Sequence, residues 1–594
     1  VAGPQRIPFT CILPNEDSGA SPPYDVVIYG HGYGSSRVES LSFGWVFTQL
    51  GYSFCFMDFP GHGPNISPSE LPLIESILEA TKLTPFLEHL LDSRYRDLNN
   101  DGRKDSGGDQ WSADVFHTRD MVRQAVVDWI QFVRSLKDCG TGIMLNEEDE
   151  ERISCDWDND GIFDLGGPDA KYFILGGSLG GINTGVAAAV MPEVEAFSPV
   201  AGGGGLFDMA LRTEIGGAVE AMHGRIMSPL FLGYPNEEDG SLQIVQMVNS
   251  ERKMRELPIQ TIGEIPKLGK IVVENLNNGE VREGMIPEDG RFRLGIPCDG
   301  LNPAEKRLAA SIPEEGPQED VVYNVPNNKG LGDLLRITIY DVDGNLLHTI
   351  DSWQDDVLHE GITMKSGSPL VAGSYGSGRI RGSSDLRRIA SIFGSALEAG
   401  DPVAYAPHYF LRPFEKLGGK QSNVLLMPTI GDSIVPVSTG ITHARVAGII
   451  DQDNIDERYG MTVDQWLSEK RVIQGVEQYG DYTDINGEEC LFDADDLDNG
   501  LDGTGAPSEE PLRLFVETDV GVSGLRLPYV STTGAHGFSM PTPSNPADQN
   551  SFAVNTIAYY FYTGGQVISD DPCMSDFSCD WIPELDINTQ TEGE

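Results

Sequence analysis

Residues 176–180, with the sequence GGSLG, constrain the fold of this chain more than any other segment. They follow an apolar run at 171–175, which predicts a buried strand, and precede a stretch of small residues at 182–190, which predicts a helix. A serine on such a strand-to-helix turn projects its hydroxyl from the edge of a sheet, and glycines flank it because side chains there would collide with backbone. Ser178 is therefore a candidate nucleophile. The alternatives are an ordinary glycine-serine loop and a turn that holds a phosphate.

Apolar runs and helix-compatible segments alternate along the first part of the chain. Strands are predicted at 25–30, 52–59, 171–175 and 194–200, and helices at 40–50, 112–137 and 182–190. Continuous apolar runs bounded by Pro, Gly or Asp are typical of strands that are buried on both faces. The alternation predicts an α/β fold with a mostly parallel sheet and helices on both faces. Strands at 423–430 and 525–531 and a helix at 551–562 predict that the same sheet is completed later in the chain.

Between these two parts the pattern changes to a period of two residues with hairpin turns. The turns are Asn278-Gly279, Asp289-Gly290 and Asp343-Gly344. They predict an inserted β-rich, sandwich-like domain. We expect four regions, which are the first part of the α/β domain at 1–256, the insert at 257–375, the second part of the α/β domain at 376–565, and an acidic tail at 566–594. The glycine-rich start of 201–255 indicates a mobile or cap-forming region over the pocket.

Four further motifs stand directly after predicted strands. They are HGYG at 31–34, PGHG at 60–63, GDSIVP at 431–436 and GAHGF at 534–538. Together with GGSLG they resemble the motifs of the α/β-hydrolase superfamily, in particular those of secreted bacterial lipases and esterases. The order Ser178, Asp432, His536 along the chain is also the hydrolase order. The resemblance covers roughly 1–255 and 380–565 and does not extend to the predicted insert.

The resemblance implies a role for each site residue. Ser178, His536 and Asp432 would form a catalytic triad that cleaves carboxylic esters through an acyl-enzyme, as in lipases and esterases. The backbone N–H groups of Tyr33 and Leu179 would form the oxyanion hole. The expected partner is an ester-containing small molecule or a lipid, and the reaction needs no organic cofactor.

Some alternatives remain open within this interpretation. Asp208, which follows the strand at 194–200, is an alternative acid, since some relatives take their carboxylate from that place. His31 and His62 are interpreted as structural loop residues. The same triad would also serve an amidase or a peptidase. A calcium-dependent surface or adhesion protein, with the hydrolase domain kept as a non-catalytic scaffold, is the alternative from another class.

A large excess of acidic residues excludes two classes of partner. The chain has 41 basic and 91 acidic residues, which gives a formal net charge of −50. Nucleic-acid phosphates and anionic lipid surfaces are therefore not expected to bind it. No apolar stretch is long enough to predict a transmembrane segment. The excess is typical of a protein adapted to high salt or of a surface that binds divalent cations.

Two aspartate-rich loops share one spacing, with oxygen side chains at positions 1, 3, 5 and 9 and glycine at position 6. The loops contain Asp97, Asn99, Asp101, Arg103 and Asp105, and Asp156, Asp158, Asp160, Ile162 and Asp164. Such alternation converges on one point, and the residue at position 7 can add its carbonyl oxygen, so the loops predict structural calcium. Because the glutamate of an EF-hand at position 12 is absent, they look more like thrombospondin-type-3 calcium repeats. A third cluster with Asp493, Asp495 and Asp498 is less regular. The alternative is that all three are solvated acidic turns.

Eight cysteines indicate the compartment. Two pairs lie close in sequence, Cys139 with Cys155 and Cys573 with Cys579, which suggests disulfides and an oxidising environment. Cys55 stands inside an apolar strand-like run, where a buried free thiol is expected. These features favour an extracellular or cell-surface location, with a targeting segment removed before residue 1.

Overall fold

The computed structural model describes residues 5–15, 18–66, 69–95, 105–112, 114–145, 151–215, 218, 226–227, 229–250, 253–298, 333–359, 362–374, 376–380, 383–457, 460–469, 514–528, 534–538 and 549–569. The chain divides into two units, one of Val1–Thr213 with Gly394–Glu594 and one of Glu214–Phe393. The first unit is therefore interrupted once by the second.

Helices are interspersed with strands in the first unit, whereas the described part of the second unit consists mostly of strands. The first stretch of the chain contains β1 (Phe9–Ile12), β2 (Val26–Gly30), α1 (Gly44–Gln49), β3 (Ser53–Met57), α2 (Leu71–Ala80), α3 (Phe86–Leu91), α4 (Val115–Lys137), β4 (Ile143–Leu145), β5 (Glu151–Ile153), β6 (Tyr172–Gly177), α5 (Leu179–Val190), β7 (Ala196–Val200) and α6 (Leu206–Arg212). The second unit contains β8 (Leu230–Pro235), β9 (Leu242–Ser250), β10 (Lys253–Ile262), β11 (Lys270–Asn275), β12 (Val281–Met285), β13 (Phe292–Gly295), β14 (Leu335–Tyr340), β15 (Leu346–Ile350), β16 (Val357–His359) and β17 (Ile362–Met364). The remaining elements are α7 (Ser384–Leu397), α8 (Pro402–Tyr405), β18 (Asn423–Leu426), α9 (Val437–Ala447), β19 (Ile455–Asp456), β20 (Met461–Thr462), α10 (Val463–Glu469), β21 (Leu514–Glu517), β22 (Val522–Leu525) and α11 (Gln549–Tyr562).

The first unit is built on an eight-stranded sheet with the order β1-β3-β2-β6-β7-β18-β22-β21. Neighbouring strands from β3 to β22 run parallel, whereas β1 and β21 pair antiparallel at the two edges. The strands β2, β3 and β7 are buried at every residue, as expected for parallel strands covered on both faces. The sheet agrees with the predicted mostly parallel α/β architecture. Because parallel strands end at one edge, the loops after β2, β6, β18 and β22 meet there.

Helices pack on both faces of this sheet. The helices α1 and α11 share one apolar cluster with alternate residues of β2, β3 and β6. Successive side chains of a strand point to opposite faces, so the remaining residues of β2 face the other way. On that side Trp129 of α4 is in close contact with Gly30 of β2. Asp114 caps the N-terminus of α4, since its side chain accepts hydrogen bonds from two backbone N–H groups of the first turn.

The second unit contains two four-stranded antiparallel sheets. Their orders are β10-β9-β8-β13 and β12-β11-β14-β15, and residues of both sheets share one buried apolar cluster. The three predicted hairpin turns lie in this unit. The strands β8 and β9 belong to it as well, although they fall in the segment 201–255 for which we expected a cap region. The reason is pairing, because β9 forms a long hairpin with β10 that extends the sheet upstream of residue 257.

Disulfide bonds connect Cys11 with Cys55 and Cys139 with Cys155. The second pair was predicted. The expectation of a free thiol at Cys55 is wrong, because the antiparallel register of β1 and β3 places Cys11 directly opposite it. Cys298 is a buried free thiol in the second unit. The predicted pair Cys573 with Cys579 lies outside the described residues.

None of the described helices combines the length and the hydropathy that a membrane crossing requires.

Candidate active site

Ser178 lies at the turn between β6 and α5. Its backbone has φ 55° and ψ −113°, a conformation that residues with a side chain seldom adopt. The turn is held on both sides, because the Ser178 N–H donates to Val200 O at 2.9 Å and the Gly180 N–H donates to His31 O at 3.1 Å. Strain of this kind is concentrated at functional sites. The hydroxyl is consequently fixed at the carboxyl edge of the sheet.

The structure brings Ser178, His536 and Asp432 together at this edge. His536 Nε2 lies 2.8 Å from Ser178 Oγ, and His536 Nδ1 lies 2.7 Å from Asp432 Oδ2. Asp432 follows β18, and His536 stands in the described segment 534–538, beyond β22. The imidazole is partly accessible, with 28% of its side chain exposed, whereas the carboxylate is fully buried. The three groups form a continuous hydrogen-bonded relay from the buried acid to the serine hydroxyl.

Two backbone N–H groups fix the orientation of the Asp432 carboxylate. Its Oδ1 accepts the backbone N–H groups of Ile434 at 2.8 Å and Val435 at 2.9 Å, which leaves Oδ2 directed at the imidazole. Asp208, the alternative acid, is exposed on α6 and pairs with Arg212 at 3.0 Å. The structure therefore places Asp432, and not Asp208, on His536.

The loop at 31–34 passes beside the serine. A Cβ placed on Gly32 would lie 3.8 Å from Ser178 Cβ. Glu39 holds this loop, since its Oε2 accepts the Gly32 N–H at 3.1 Å while its Oε1 accepts the Tyr29 hydroxyl at 2.8 Å. Glu39 was not predicted as a site residue. Glu39 belongs to no motif. Its contact with Gly32 forms because the chain between the two residues turns back, and no local sequence pattern predicts that turn.

The two predicted oxyanion donors, Leu179 and Tyr33, belong to different elements. Leu179 is the first residue of α5, so its N–H has no acceptor within that helix. Tyr33 follows Gly32 in the loop, and its ring packs 6.1 Å from the His62 ring and 6.3 Å from the Trp111 ring, measured between centroids. Leu179 directly follows Ser178 in the chain, and Tyr33 directly follows Gly32, the loop residue that lies beside Ser178.

His31, the first residue of this loop, and His62 are both buried. His31 Nε2 accepts the Phe59 N–H at 3.0 Å, so Nδ1 carries the proton and donates to Gly32 O at 2.8 Å. His62 Nδ1 lies 2.9 Å from Pro60 O. Burial lowers the pKa of His31 to about 4 and that of His62 to about 3. Both imidazoles are therefore neutral near pH 7 and act in loop packing.

Away from this site, the second acidic loop brings three carboxylates together. Oxygen atoms of Asp156, Asp158 and Asp164 lie within 4.8 Å of one another. Asp156 is only 8% exposed, and its Oδ1 has no hydrogen-bond partner among the described residues. Asp160 is exposed beside them, and its Oδ1 accepts the Ile162 N–H at 2.7 Å. A hard cation that takes oxygen ligands would fit this group.

Asp105 of the first acidic loop is described, whereas the other predicted residues of that loop and those of the third cluster lie outside the described residues. These are Asp97, Asn99, Asp101 and Arg103, and Asp493, Asp495 and Asp498.

The mainly parallel sheet and the relay at the carboxyl ends of its strands are together consistent with the α/β-hydrolase fold. No family model matches the chain, and no curated protein sequence matches it. Solved structures with some likeness include Est1E from Butyrivibrio proteoclasticus with bound ferulic acid, at 12% identity over 33% of this chain and 49% of that chain, with a TM-score of 0.17.

Two further solved structures are similar to this chain at the same level. An acetyl xylan esterase from Paenibacillus sp. R4 has 16% identity over 34% of this chain and 46% of that chain, with a TM-score of 0.18. An E-2-(acetamidomethylene)succinate hydrolase has 12% identity over 74% of this chain and 88% of that chain, with a TM-score of 0.22. The chain spans about half the length of the two esterases.

Proposed function

We propose that this protein is a serine hydrolase that cleaves carboxylic esters through an acyl-enzyme. The observation that carries the proposal is the unbroken relay, with 2.8 Å between His536 Nε2 and Ser178 Oγ and 2.7 Å between His536 Nδ1 and Asp432 Oδ2. A nucleophile hydrogen-bonded to a base that is itself oriented by an acid is the arrangement that activates a serine hydroxyl.

The proposed reaction has two halves. Ser178 Oγ attacks the ester carbonyl as His536 Nε2 takes its proton, and the same proton then passes to the leaving alcohol. A water molecule repeats the sequence on the acyl-enzyme and releases the acid. Asp432 keeps the proton-bearing Nδ1 directed at itself and stabilises the imidazolium. The N–H groups of Tyr33 and Leu179 bind the oxyanion, and each such donor typically lowers the barrier by about 3–4 kcal/mol.

Covalent labelling tests this proposal. A fluorophosphonate is expected to label the protein once per chain, and peptide mass spectrometry is expected to locate the adduct on Ser178. The control is the same protein after thermal unfolding, because only the folded relay activates the hydroxyl. Wild-type protein that stays unlabelled in calcium-containing buffer, or an adduct on another serine, would count against the proposal and in favour of a non-catalytic scaffold.

We also propose that the loop at 156–164 holds a structural calcium ion. The buried Asp156 Oδ1 lacks a hydrogen-bond partner among the described residues. It belongs to a group of three carboxylates, and calcium binds to oxygen ligands of this kind. Extracellular sites of this type bind with Kd values of about 10⁻⁴–10⁻³ M, so they fill where calcium is plentiful. Together with the two disulfides, this supports the proposal of an extracellular or cell-surface protein.

Calcium removal is expected to lower the melting temperature. At calcium concentrations tenfold above Kd, one site contributes about 1.4 kcal/mol, which corresponds to about 2 °C in a unit as large as the first one. Differential scanning calorimetry with and without chelator measures the shift. Asp158→Asn is expected to reduce it, whereas Asp239→Asn, at an exposed turn of the second unit, leaves it unchanged. A melting temperature that does not respond to low millimolar calcium would contradict the proposal.

A further inference from the structure

One hydroxyl group, in the segment that follows β18, contacts the described backbone around His536. Thr429 is fully buried, and its Oγ1 donates to Ala535 O at 2.7 Å and accepts the Gly537 N–H at 2.9 Å. These two peptide groups lie immediately before and after His536. A single side chain therefore holds the backbone on both sides of the imidazole.

Other contacts hold the same loop less tightly. The Ala535 N–H reaches Ile430 O at 3.4 Å, the long end of the range for a hydrogen bond. The backbones of Gly431 and Gly534 touch, because a Cβ on either would overlap the other. This close approach limits the distance between the loop and the segment after β18. It does not fix the rotation of the peptide planes on either side of His536. The Thr429 hydroxyl supplies that restraint, since it has one directed donor and one directed acceptor.

We infer that Thr429 is a positioning residue for the base of the proposed reaction, and the inference rests on the proposed function. Asp432 sets the tilt of the imidazole from its Nδ1 side, whereas Thr429 sets the place of the Cα from which the ring extends. Both restraints are needed to keep Nε2 at 2.8 Å from Ser178 Oγ. A displacement of about 1 Å at a reacting group costs about 100-fold in rate.

The chemistry of the hydroxyl provides a matched pair of variants. Serine keeps both hydrogen bonds at position 429, and valine keeps the shape but can make neither. Thr429→Val is expected to lower kcat for a soluble ester by about 10- to 100-fold with KM within about twofold, because substrate contacts are untouched. Thr429→Ser is expected to stay within about threefold of wild type in kcat.

A control separates positioning from general destabilisation. Ser523 on β22 is also fully buried, and its hydroxyl also bridges two backbone groups, since it accepts the Val424 N–H at 3.0 Å and donates to Ser422 O at 3.4 Å. Ser523→Ala removes a comparable bridge that does not touch the His536 loop. We expect it to lower the melting temperature without changing kcat. If Thr429→Val does not fold, Thr429→Cys keeps the size with only a weak hydrogen bond and is expected to lose about three- to tenfold in kcat.

The outcomes distinguish this inference from the proposed function. The rate of fluorophosphonate labelling is measured first on wild type and then per folded molecule of each variant. A labelled wild type with a Thr429→Val variant at the wild-type rate would overturn the positioning role alone. The same holds if Thr429→Ser is as slow as Thr429→Val. An unlabelled wild type overturns the proposed function and the inference with it.

Discussion

Replacing Asp432 with asparagine is expected to lower kcat for ester hydrolysis by about 10⁴-fold, with little change in KM. The asparagine Oδ1 would keep the backbone donors of Ile434 and Val435, so its amide nitrogen would face His536. An amide nitrogen donates and cannot accept, and it therefore favours the imidazole tautomer whose proton is on Nε2. That tautomer cannot take the proton of Ser178. Steady-state kinetics with a soluble ester measure the effect.

Asp208→Asn is the matched control for this prediction. Asp208 follows β7 and is the carboxylate that the sequence left open as the alternative acid. It is exposed and paired with Arg212, so we expect its replacement to change kcat by no more than about twofold. The assignment of Asp432 as the acid would be refuted if Asp208→Asn were slower than Asp432→Asn. It would also be refuted if Asp432→Asn kept a tenth of wild-type activity.

Gly180→Ala is expected to destabilise the first unit by about 4 kcal/mol or more, since overpacking of this severity is at the upper end of core substitutions. A Cβ at position 180 would overlap the carbonyl oxygen and carbon of Gly30. Both partners are backbone, one at the start of α5 and one at the end of β2, so no side-chain rotation relieves the clash. We expect little soluble protein, or a melting temperature lower by about 5 °C or more.

Gly394→Ala tests whether any glycine replacement has this effect. Gly394 lies in α7, and no described atom is within 4 Å of a Cβ placed there. Alanine in a helix is favoured over glycine by about 1 kcal/mol, so this variant is expected to be as stable as wild type or slightly more stable. Should Gly180→Ala melt within a degree or two of wild type, the close packing of α5 on β2 would be disproved.

Sequence patterns were sufficient for the features that are local. Ser178, Asp432 and His536 each stand in a short glycine-containing motif directly after an apolar run, and such runs form parallel strands whose carboxyl ends meet at one edge. The fold-level argument and the motif order thus converge on one site, and the structure brings the three residues together there. The buried strands β2 and β3 were predictable for the same reason.

Features that depend on contact between distant segments were not predictable. The pairing of Cys11 with Cys55 requires the register of an antiparallel edge strand, which is set only when the chain folds back. The contacts of Glu39 with Gly32 and of Thr429 with the loop at 534–538 arise from loop geometry, which leaves no periodic signal. The pairing of β9 with β10 was also not predictable from the sequence of β9.

The neighbouring strands β7 and β18 are joined across a long detour of the chain, since Ser198 Oγ donates to Leu425 O over a separation of 227 residues. At about 5–20 residues per second, translation needs roughly 10–45 s to bridge that distance. During this interval β7 is an unpaired edge strand of an incomplete sheet, and such an edge can pair with other nascent chains. His536 emerges from the ribosome last of the three relay residues. The relay of Ser178, His536 and Asp432 can therefore form only after residue 536 has been synthesised.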